Sequence, residues 1–498
     1  MIRRGRQPRA LFLALLCGLT LSALPGFAAS AETTPLTLTQ ILQQVIDHYP
    51  SLQSAALEVE KARQETARIE SQLGWQLGAQ GGISKDVSLF GSPVDRINAG
   101  TQLARQLPSG NALSLSASIN RDDADSAPIP TLPNPSTSTS VDLQYRMPLA
   151  KGKDNPAYSA GLAQADAGLR IQQSQQQLAY DSIAAQLIEL YSAALTTQQR
   201  IDNIRQSIRR SQQLQSFILD RVDLGIAEDK DSLQTDAQLH GLQAQLKELQ
   251  RASLNQTIAL NHLMGRPWDS ELALRLDDAE SPPDDLSRLI TEVSAYSPAL
   301  HINDAQMELA DTRIAVQRDQ NRKQLDMVFQ LGNRGLSGDA VGGSVNQNEV
   351  VGGIQLEYSR PLDTRGDDAA LYQAQLERDI AIQNRKQITD DLHYDAASRL
   401  GELKAIQATI KAYRLSVNSE RAKLDEAERR YRQGRITIDQ VIQFENQTAA
   451  SELGLVLQRI DYQRSLIALE LLRGTLWNSI DMPVPDIGGV GGMGDMRP

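Results

Sequence analysis

VDLQYRMPLA (residues 141–150) and IQLEYSRPLD (residues 354–363) are two stretches of one chain that share a pattern. Both alternate apolar and polar side chains, both place a tyrosine at the fifth position, and both reach a Pro-Leu pair. Alternation of this kind is typical of a β-strand with one apolar face, and a proline ends the strand because it has no N–H to donate. A long helical pattern follows each copy, so the two stretches predict two strand-to-helix junctions.

These stretches are part of a duplication that extends over most of the chain. Internal similarity is sought first because it determines how the rest of a sequence is divided. The matches occur in the same order at offsets of 248, 213 and 209 residues. They pair Leu38, Val45, Pro50 and Leu52 with Leu286, Val293, Pro298 and Leu300; Val141, Leu143, Tyr145 and Pro148 with Ile354, Leu356, Tyr358 and Pro361; and Arg221, Gly225, Leu233, Leu263 and Gly265 with Arg430, Gly434, Ile442, Leu472 and Gly474. The first two offsets differ by 35 residues, so the first half carries additional chain before its strand-to-helix junction.

Each half predicts one very long helix. No proline occurs between Pro156 and Val222, and small or apolar residues recur at alternating gaps of three and four from Ile183 to Ile208. This spacing is a heptad seam, which is typical of packed long helices. Residues 367–430 form a similar proline-free counterpart. A helix of about 66 residues would be roughly 100 Å long, and the shorter helices of each half are expected to stack end to end along it.

The predicted order of segments begins with a secretory signal, because basic arginines precede a short apolar run and Ala29-Ser30-Ala31 is a small-residue cleavage site. The segments are a signal peptide (1–31), an equatorial segment (32–49), a helix (50–73), strands of the first repeat (74–149), a long helical hairpin (150–264), a second equatorial segment (265–297), a helix (298–323), strands of the second repeat (324–362), a second long hairpin (363–475), and an equatorial segment with a flexible tail (476–498).

The predicted strands have one apolar face and one polar face over about ten residues, as membrane β-barrel strands do. An ordinary soluble hairpin with one buried face has the same pattern. The signal peptide, the long polar loops and the aromatic residues Trp75, Tyr145 and Tyr358 at the strand–helix junctions favour the membrane interpretation, with these aromatics at the membrane interface. Four spanning strands cannot close a barrel alone, so several copies must combine. The pattern leaves open where an additional first-half hairpin, about 97–121, lies.

Composition excludes several other classes of protein. The formal charge is −11 and moves to −15 without the signal, which carries four arginines and no acids, so a nucleic-acid partner is not expected. Cys17 is the one cysteine and lies in the signal. The histidines have no metal-ligand spacing, and the Gly489–Gly494 motif lacks the strand and helix of a nucleotide site. We therefore expect no metal, no cofactor and no enzymatic activity.

The full pattern resembles the TolC family of outer-membrane channel proteins. The resemblance rests on the duplicated plan, the paired strand-to-helix junctions, and two helix-turn motifs, RVDLGIAEDKDSLQTDAQL (221–239) and RYRQGRITIDQVIQFENQT (430–448). It implies a mixed, mainly α fold of two helix–strands–long helix–helix repeats. Three copies would form an outer-membrane β-barrel of twelve strands, four from each, continuous with a periplasmic α-helical barrel. Such a protein is a passive exit channel for efflux or secretion.

The resemblance also implies partners and a functional site at the periplasmic tip. A periplasmic adaptor and an inner-membrane transporter would dock there, while the outer-membrane lipid surrounds the strands. Its implied adaptor contacts are Leu224, Gly225 and Ile226 in the first turn and Gln433, Gly434 and Arg435 in the second. The second triplet departs from the family's apolar-Gly-apolar pattern on both sides. Its implied gating residues are Asp231 and Tyr431, with Asp439, Gln440 and Gln443 near the positions where the second motif often has acids.

Two alternatives remain at this point. The glycines also suit simple helix C-caps, and Asp231 and Tyr431 also suit surface or packing positions. A periplasmic coiled-coil adaptor or scaffold protein would share the long helices, although one hairpin flanked by β-rich domains would be expected there rather than two hairpins flanking strands.

Overall fold

The computed structural model describes residues 35–87, 91–125, 132–225, 228–275 and 285–478. The predicted signal peptide and most of the predicted tail lie outside these ranges. The helices are α1 (Leu38–His48), α2 (Pro50–Ser71), α3 (Pro156–Asp223), α4 (Asp229–Leu263), α5 (Leu286–Tyr296), α6 (Pro298–Gln320), α7 (Arg365–Arg432), α8 (Ile438–Leu472) and α9 (Thr475–Asn478). The strands are β1 (Gln76–Val87), β2 (Pro93–Gln106), β3 (Ala112–Ala124), β4 (Ser136–Pro148), β5 (Gln324–Ala340) and β6 (Gly343–Ser359).

The mainly helical, duplicated plan is confirmed. The long helices α3 and α7 have 68 residues each, and the returning helices α4 and α8 have 35 each. Pro50, Pro156 and Pro298 each occupy the first turn of their helices, where a missing N–H costs nothing because no intrahelical acceptor exists for it. None of the helices among the described residues is long and apolar enough to cross a membrane.

The helices lie side by side in a single row, both near the sheet and near the turns at the other end. Helix α3 packs on α2 and α6 beside the sheet, and on α4 and α8 farther from it. Helix α7 packs on α6 and then on α8. The order is therefore α2, α3, α6, α7 near the strands and α4, α3, α8, α7 near the turns. Ion pairs join α6 to α7, including Arg378 with Asp311 at 2.6 Å and Arg385 with Asp304 at 2.7 Å.

An apolar core lies halfway along the helices, where the short helices α1 and α9 contact α3. Ile41, Leu187, Leu260 and Trp477 are among its fully buried side chains. Beside this core lies Asp181, which accepts hydrogen bonds from Tyr296 Oη and Trp477 Nε1, both at 2.9 Å. Burial raises the pKa of Asp181, and these hydrogen bonds oppose the rise. The cluster anchors the last described helix to the long helix α3.

The six strands form one antiparallel sheet in the order of the sequence, from β1 to β6. These six strands are two more than the four that the family resemblance implies for each copy's share of the barrel. The additional hairpin of residues 97–121 lies within β2 and β3, which pair with each other and are flanked by β1 and β4. The resemblance could not supply this count because the 35 extra residues of the first half have no counterpart in the second.

The two faces of the sheet differ consistently across all six strands. On one face, a single row of directly paired residues is apolar or glycine in every strand: Leu77, Leu103, Leu115, Leu143, Leu331 and Gly352. On the other face, the adjacent row is mostly polar: Gln76, Ala104, Ser114, Gln144, Gln330 and Gly353. The apolar side chains remain largely exposed, with Leu77 at 77% and Ile354 at 73%. The sheet therefore has one uncovered apolar face and one hydrophilic face.

Candidate functional site at the helical turns

Two turns at the end opposite the sheet connect α3 to α4 and α7 to α8. Each contains a glycine in the left-handed region, Gly225 at φ +68° and Gly434 at φ +71°. Glycine adopts this conformation without the steric cost that a Cβ imposes. The amide of Gly225 donates to the carbonyl of Val222 at 2.9 Å, and that of Gly434 donates to Tyr431 at 2.8 Å. Both helices thus end by the same backbone geometry.

The residues after Gly434 extend the hydrogen bonding of the second turn. The amide of Arg435 donates to the carbonyl of Arg430 at 2.9 Å, which completes a Schellman motif. The amide of Thr437, which precedes α8, donates to the side-chain oxygen of Gln440 at 3.4 Å. In the first turn, Glu228 precedes α4 and its side chain makes no capping hydrogen bond. Gln440, one of the implied gating residues, therefore has a capping role in this turn.

Tyr431 joins the second turn to helix α3. It is 9% exposed and packs edge-on against Phe217, with ring centroids 6.0 Å apart. The Arg221 guanidinium lies 5.8 Å from the Tyr431 ring centre and 5.6 Å from that of Phe217, within the range of a cation–π contact. Ile218, Ile438, Val441 and Ile442 complete this cluster. Burial raises the pKa of Tyr431, the Asp231 carboxylate raises it further, and Arg221 lowers it.

An ion pair lies one to two helical turns above this cluster. Arg210 Nε donates to Glu445 Oε1 at 3.2 Å, and Arg210 Nη2 donates to the Ser207 hydroxyl at 3.4 Å. Glu445 is 7% exposed, and burial raises the pKa of its carboxyl while Arg210 opposes that rise. A pocket of about 200 Å³ is lined by this pair and by Tyr431. The pair ties α3 to α8 across the two repeats.

The remaining predicted gating residues lie close together at the two turns. Asp231 is half-buried in the first turn of α4, and its field reaches Tyr431. Asp439 is exposed in the first turn of α8 and accepts a hydrogen bond from Gln234 of α4. Gln443 is exposed. Asp231 and Asp439 both raise the pKa of Lys230, after the larger effect of Glu228, so the two turns share one electrostatic environment.

The predicted adaptor contacts lie on the outer surface of the turns. Leu224 is 72% exposed, which is unusual for a large apolar side chain in a turn. Gly225, Gln433, Gly434 and Arg435 are also exposed. Ile226 lies outside the described residues. The turns therefore combine one exposed apolar residue on the first with a polar and basic surface on the second.

The predicted membrane-interface residues lie at the edge of the sheet nearest the helices. Trp75 immediately precedes β1, is 51% exposed, and has the Arg105 guanidinium 5.7 Å from its ring centre. Tyr145 accepts a hydrogen bond from Asn111 Nδ2 at 2.6 Å and its ring lies 6.3 Å from Phe329. Tyr358 is 61% exposed.

Sequence reasoning did not find Phe217, Arg221, Arg210 and Glu445 as parts of the tip. One signal was available for the first two, since an aromatic residue and an arginine four positions apart lie on the same helix face. Their partners on α7 and α8 are more than two hundred residues away, and no local pattern identifies them. The described residues contain no group of three or more His, Cys, Asp or Glu side chains arranged to hold a metal ion.

Comparison with known proteins gives a family match over part of the chain and similar folds over most of it. The family model for outer membrane efflux proteins matches residues 94–266, and no curated protein sequence matches the chain. The outer-membrane channel OprN is 16% identical, with a TM-score of 0.66 over 88% of this chain and 89% of that one. CusC, described as forming a transmembrane channel, is 15% identical, with a TM-score of 0.64 over 89% and 92%. The outer membrane protein VceC from Vibrio cholerae is 15% identical, with a TM-score of 0.62 over 89% and 95%.

Proposed function

We propose that this chain, which belongs to the outer membrane efflux protein family through residues 94–266, is the exit channel of a tripartite efflux or secretion system. It lies in the outer membrane, and its helices extend into the periplasm. The observation that carries the proposal is that the sheet continues directly into the long helices. One six-stranded sheet with an uncovered apolar face stands on two helical hairpins of 68-residue and 35-residue helices. An apolar outer face and a polar inner face suit a channel wall in lipid.

Uncovered residues on the helices support assembly into a ring. Ile380, Tyr394 and Leu415 of α7 are 59%, 73% and 71% exposed and are spaced by whole heptads. At the other side of the row, Leu233 and Leu254 of α4 are 70% and 53% exposed and three heptads apart. Apolar heptad seams bury themselves against other helices. A trimer with α7 of one copy beside α2 and α4 of the next would cover both seams.

The turns are the proposed docking and gating end. Exposed Leu224 supplies an apolar anchor for a periplasmic adaptor, and the adaptor would connect the channel to an inner-membrane transporter. The cluster of Tyr431, Phe217 and Arg221 would hold the second turn against α3 when the channel is shut. Opening would then require α7 and α8 to move away from α3. The proposed role of the protein is passive, because transport energy would come from the inner-membrane partner.

Membrane fractionation of the expressed protein, followed by size measurement in detergent and planar-bilayer recording, tests this function. We expect an outer-membrane trimer that forms ion-conducting channels. A monomer found in the soluble periplasmic fraction would instead support the adaptor or scaffold alternative. The uncovered apolar face of the sheet favours the channel, because a water-exposed face of this kind would cause aggregation.

Adaptor docking is tested separately by Leu224→Asp, which places a charge in the apolar anchor. Its matched control is Leu224→Met, which keeps an apolar side chain at the same exposed position. We expect Leu224→Asp to abolish co-purification of a cross-linked adaptor while leaving the trimer intact. Equal adaptor recovery from both variants and from the unaltered protein would remove Leu224 from the docking site.

A further inference from the structure

We infer that β2 and β3 are part of the channel wall, so that three copies close into a barrel of eighteen strands with β6 of one copy paired to β1 of the next. The inference rests on the proposed function, which supplies the membrane and the trimer. Its partner is a second copy of this chain. It differs from the twelve-stranded wall that the family resemblance implies, and it assigns a role to the additional residues of the first half.

The side chains of β2 and β3 fit a membrane wall as well as those of the other strands. Leu103 and Leu115 continue the apolar row between Leu77 and Leu143 without interruption. On the opposite face, Gln102 and Ser116 are paired and polar. A hairpin that left the wall would break the backbone pairing on both of its sides. It would also expose apolar residues to water or polar residues to lipid, and unpaired backbone groups in lipid cost several kcal/mol each.

The strands and the helices follow the same order across the copy, so the unpaired edges of β1 and β6 both lie at the contact between neighbouring copies. Strand β1 follows α2, β4 precedes α3, β5 follows α6, and β6 precedes α7. The two edge strands of the sheet therefore lie above the two outer helices of the row. Strand β1 runs away from the helices and β6 runs back to them, so the neighbouring copies would meet as an antiparallel pair.

The stagger of the strands also fits closure. The paired row that begins at Gln76, the helix-side end of β1, reaches β6 at Gly353. Gly353 lies six residues above Ser359, the helix-side end of β6. If the ends of β6 and β1 are level at the joint, three copies of this six-residue stagger give a shear equal to the number of strands. An eight-stranded barrel with a shear of eight has a strand tilt of about 36°, within the usual range for barrels.

The consequence is a wider passage through the membrane. Barrel diameter grows roughly in proportion to strand number, so eighteen strands give a wall about one and a half times as wide as twelve. With neighbouring strands about 4.8 Å apart and a tilt of about 36°, the Cα diameter is roughly 34 Å instead of roughly 23 Å. Barrels of sixteen to eighteen strands leave an aqueous channel.

Disulfide trapping in the full-length trimer tests which strands are neighbours. Cys17, the one native cysteine, lies in the predicted signal, so introduced pairs have little background. With level ends, Gln355 of β6 faces Gln80 of the next copy, and both side chains point to the polar face. Gln80→Cys with Gln355→Cys should convert the monomer band on a denaturing gel to a band of threefold mass after oxidation. Gly78→Cys and Gly82→Cys, each combined with Gln355→Cys, detect a β6–β1 register shifted by two residues in either direction.

Two further pairs distinguish the twelve-stranded alternatives. If β1 and β2 lay outside the wall, β6 would meet β3, and Ser116→Cys with Gln355→Cys would give the covalent trimer. If β2 and β3 lay outside it, β1 would meet β4, and Gln80→Cys with Gln144→Cys would form a disulfide within one chain. We expect neither product, since two strands separate each of these pairs in the sheet.

The outcomes separate the inference from the proposed function. Covalent trimer from the Gln355 and β1 pairs alone supports eighteen strands. Either alternative product, or the absence of any disulfide in an outer-membrane trimer, would overturn the eighteen-stranded wall and leave the proposed channel function standing. If the first variants do not assemble, Ala79→Cys with Leu356→Cys reads the expected β1–β6 joint, and Leu115→Cys with Leu356→Cys reads the alternative β3–β6 joint. A soluble monomer would contradict the proposed function itself.

Discussion

The α3–α4 turn and the α7–α8 turn have the same backbone and different side chains. Gly225 and Gly434 adopt the same left-handed conformation and follow equivalent hydrogen bonds. Over aligned windows the formal charge is −2 for residues 220–230 and +3 for residues 429–439. Tyr431 packs on α3, while its counterpart Val222 is smaller and Leu224 beside it is exposed. The second turn therefore packs a buried tyrosine against α3, and the first presents an exposed leucine.

The largest expected difference between the turns comes from truncating these two counterparts. Tyr431→Ala removes a buried ring from Phe217 and Arg221 and should destabilise the tip by about 3 kcal/mol. Val222→Ala removes only part of a half-buried side chain and should cost about 1 kcal/mol. Hydrogen exchange of residues 425–445 measures the protection of the tip in each of the two variants. Equal protection in the two variants would show that the turns are anchored alike.

The Arg210–Glu445 pair gives the next largest effect. Arg210→Ala leaves a buried carboxylate without its partner, and we expect a loss of about 2 kcal/mol, since Arg210 itself is partly exposed. The double change Arg210→Ala with Glu445→Gln removes the unpaired charge and should recover most of the loss. The thermal midpoint of the trimer, measured at one fixed heating rate, gives the comparison. Failure of the second change to recover stability would mean that Arg210 acts by packing alone.

The two glycines test the feature that the turns share. Gly225→Ala and Gly434→Ala should each cost about 1 kcal/mol, because both positions require a positive φ. Gly241→Ala, in the interior of α4 with open space around it, is the matched control and should stabilise by a few tenths to about 1 kcal/mol. A loss at Gly434 alone would mean that the first turn relaxes to another conformation.

The smallest predicted effect is the pH dependence of stability that Glu445 contributes. The pKa of Glu445 in the folded protein is above its ordinary value of 4.5. The folded state therefore binds this proton more readily than the unfolded state, and its contribution to stability rises as the pH falls from above the raised pKa toward 4.5. Glu445→Gln should abolish this contribution. Thermal midpoints of the two proteins across that interval should converge toward the acidic end, and a parallel course would contradict the assignment.

The sequence predicted the helices and strands themselves better than it predicted which of them pack or pair with one another. The proline-free heptad runs indicated the long helices, and the alternation ending at Pro148 indicated a strand. The sequence also indicated the additional hairpin that forms β2 and β3, but not its place in the sheet, because the hairpin has no counterpart in the second repeat and its register depends on β1 and β4. The resemblance pointed to Tyr431, yet its structural contact is ring packing against Phe217. That contact forms between residues more than two hundred positions apart, where no local pattern extends.

Single-channel conductance of the purified trimer in planar bilayers tests the central claim most directly. If the second turn closes the tip through its ring cluster, Tyr431→Ala should raise conductance severalfold over the unaltered protein. Tyr431→Phe, which keeps the ring against Phe217 and Arg221, should stay close to the unaltered value. A protein that forms no channels, or a Tyr431→Ala variant with unchanged conductance, would contradict the account.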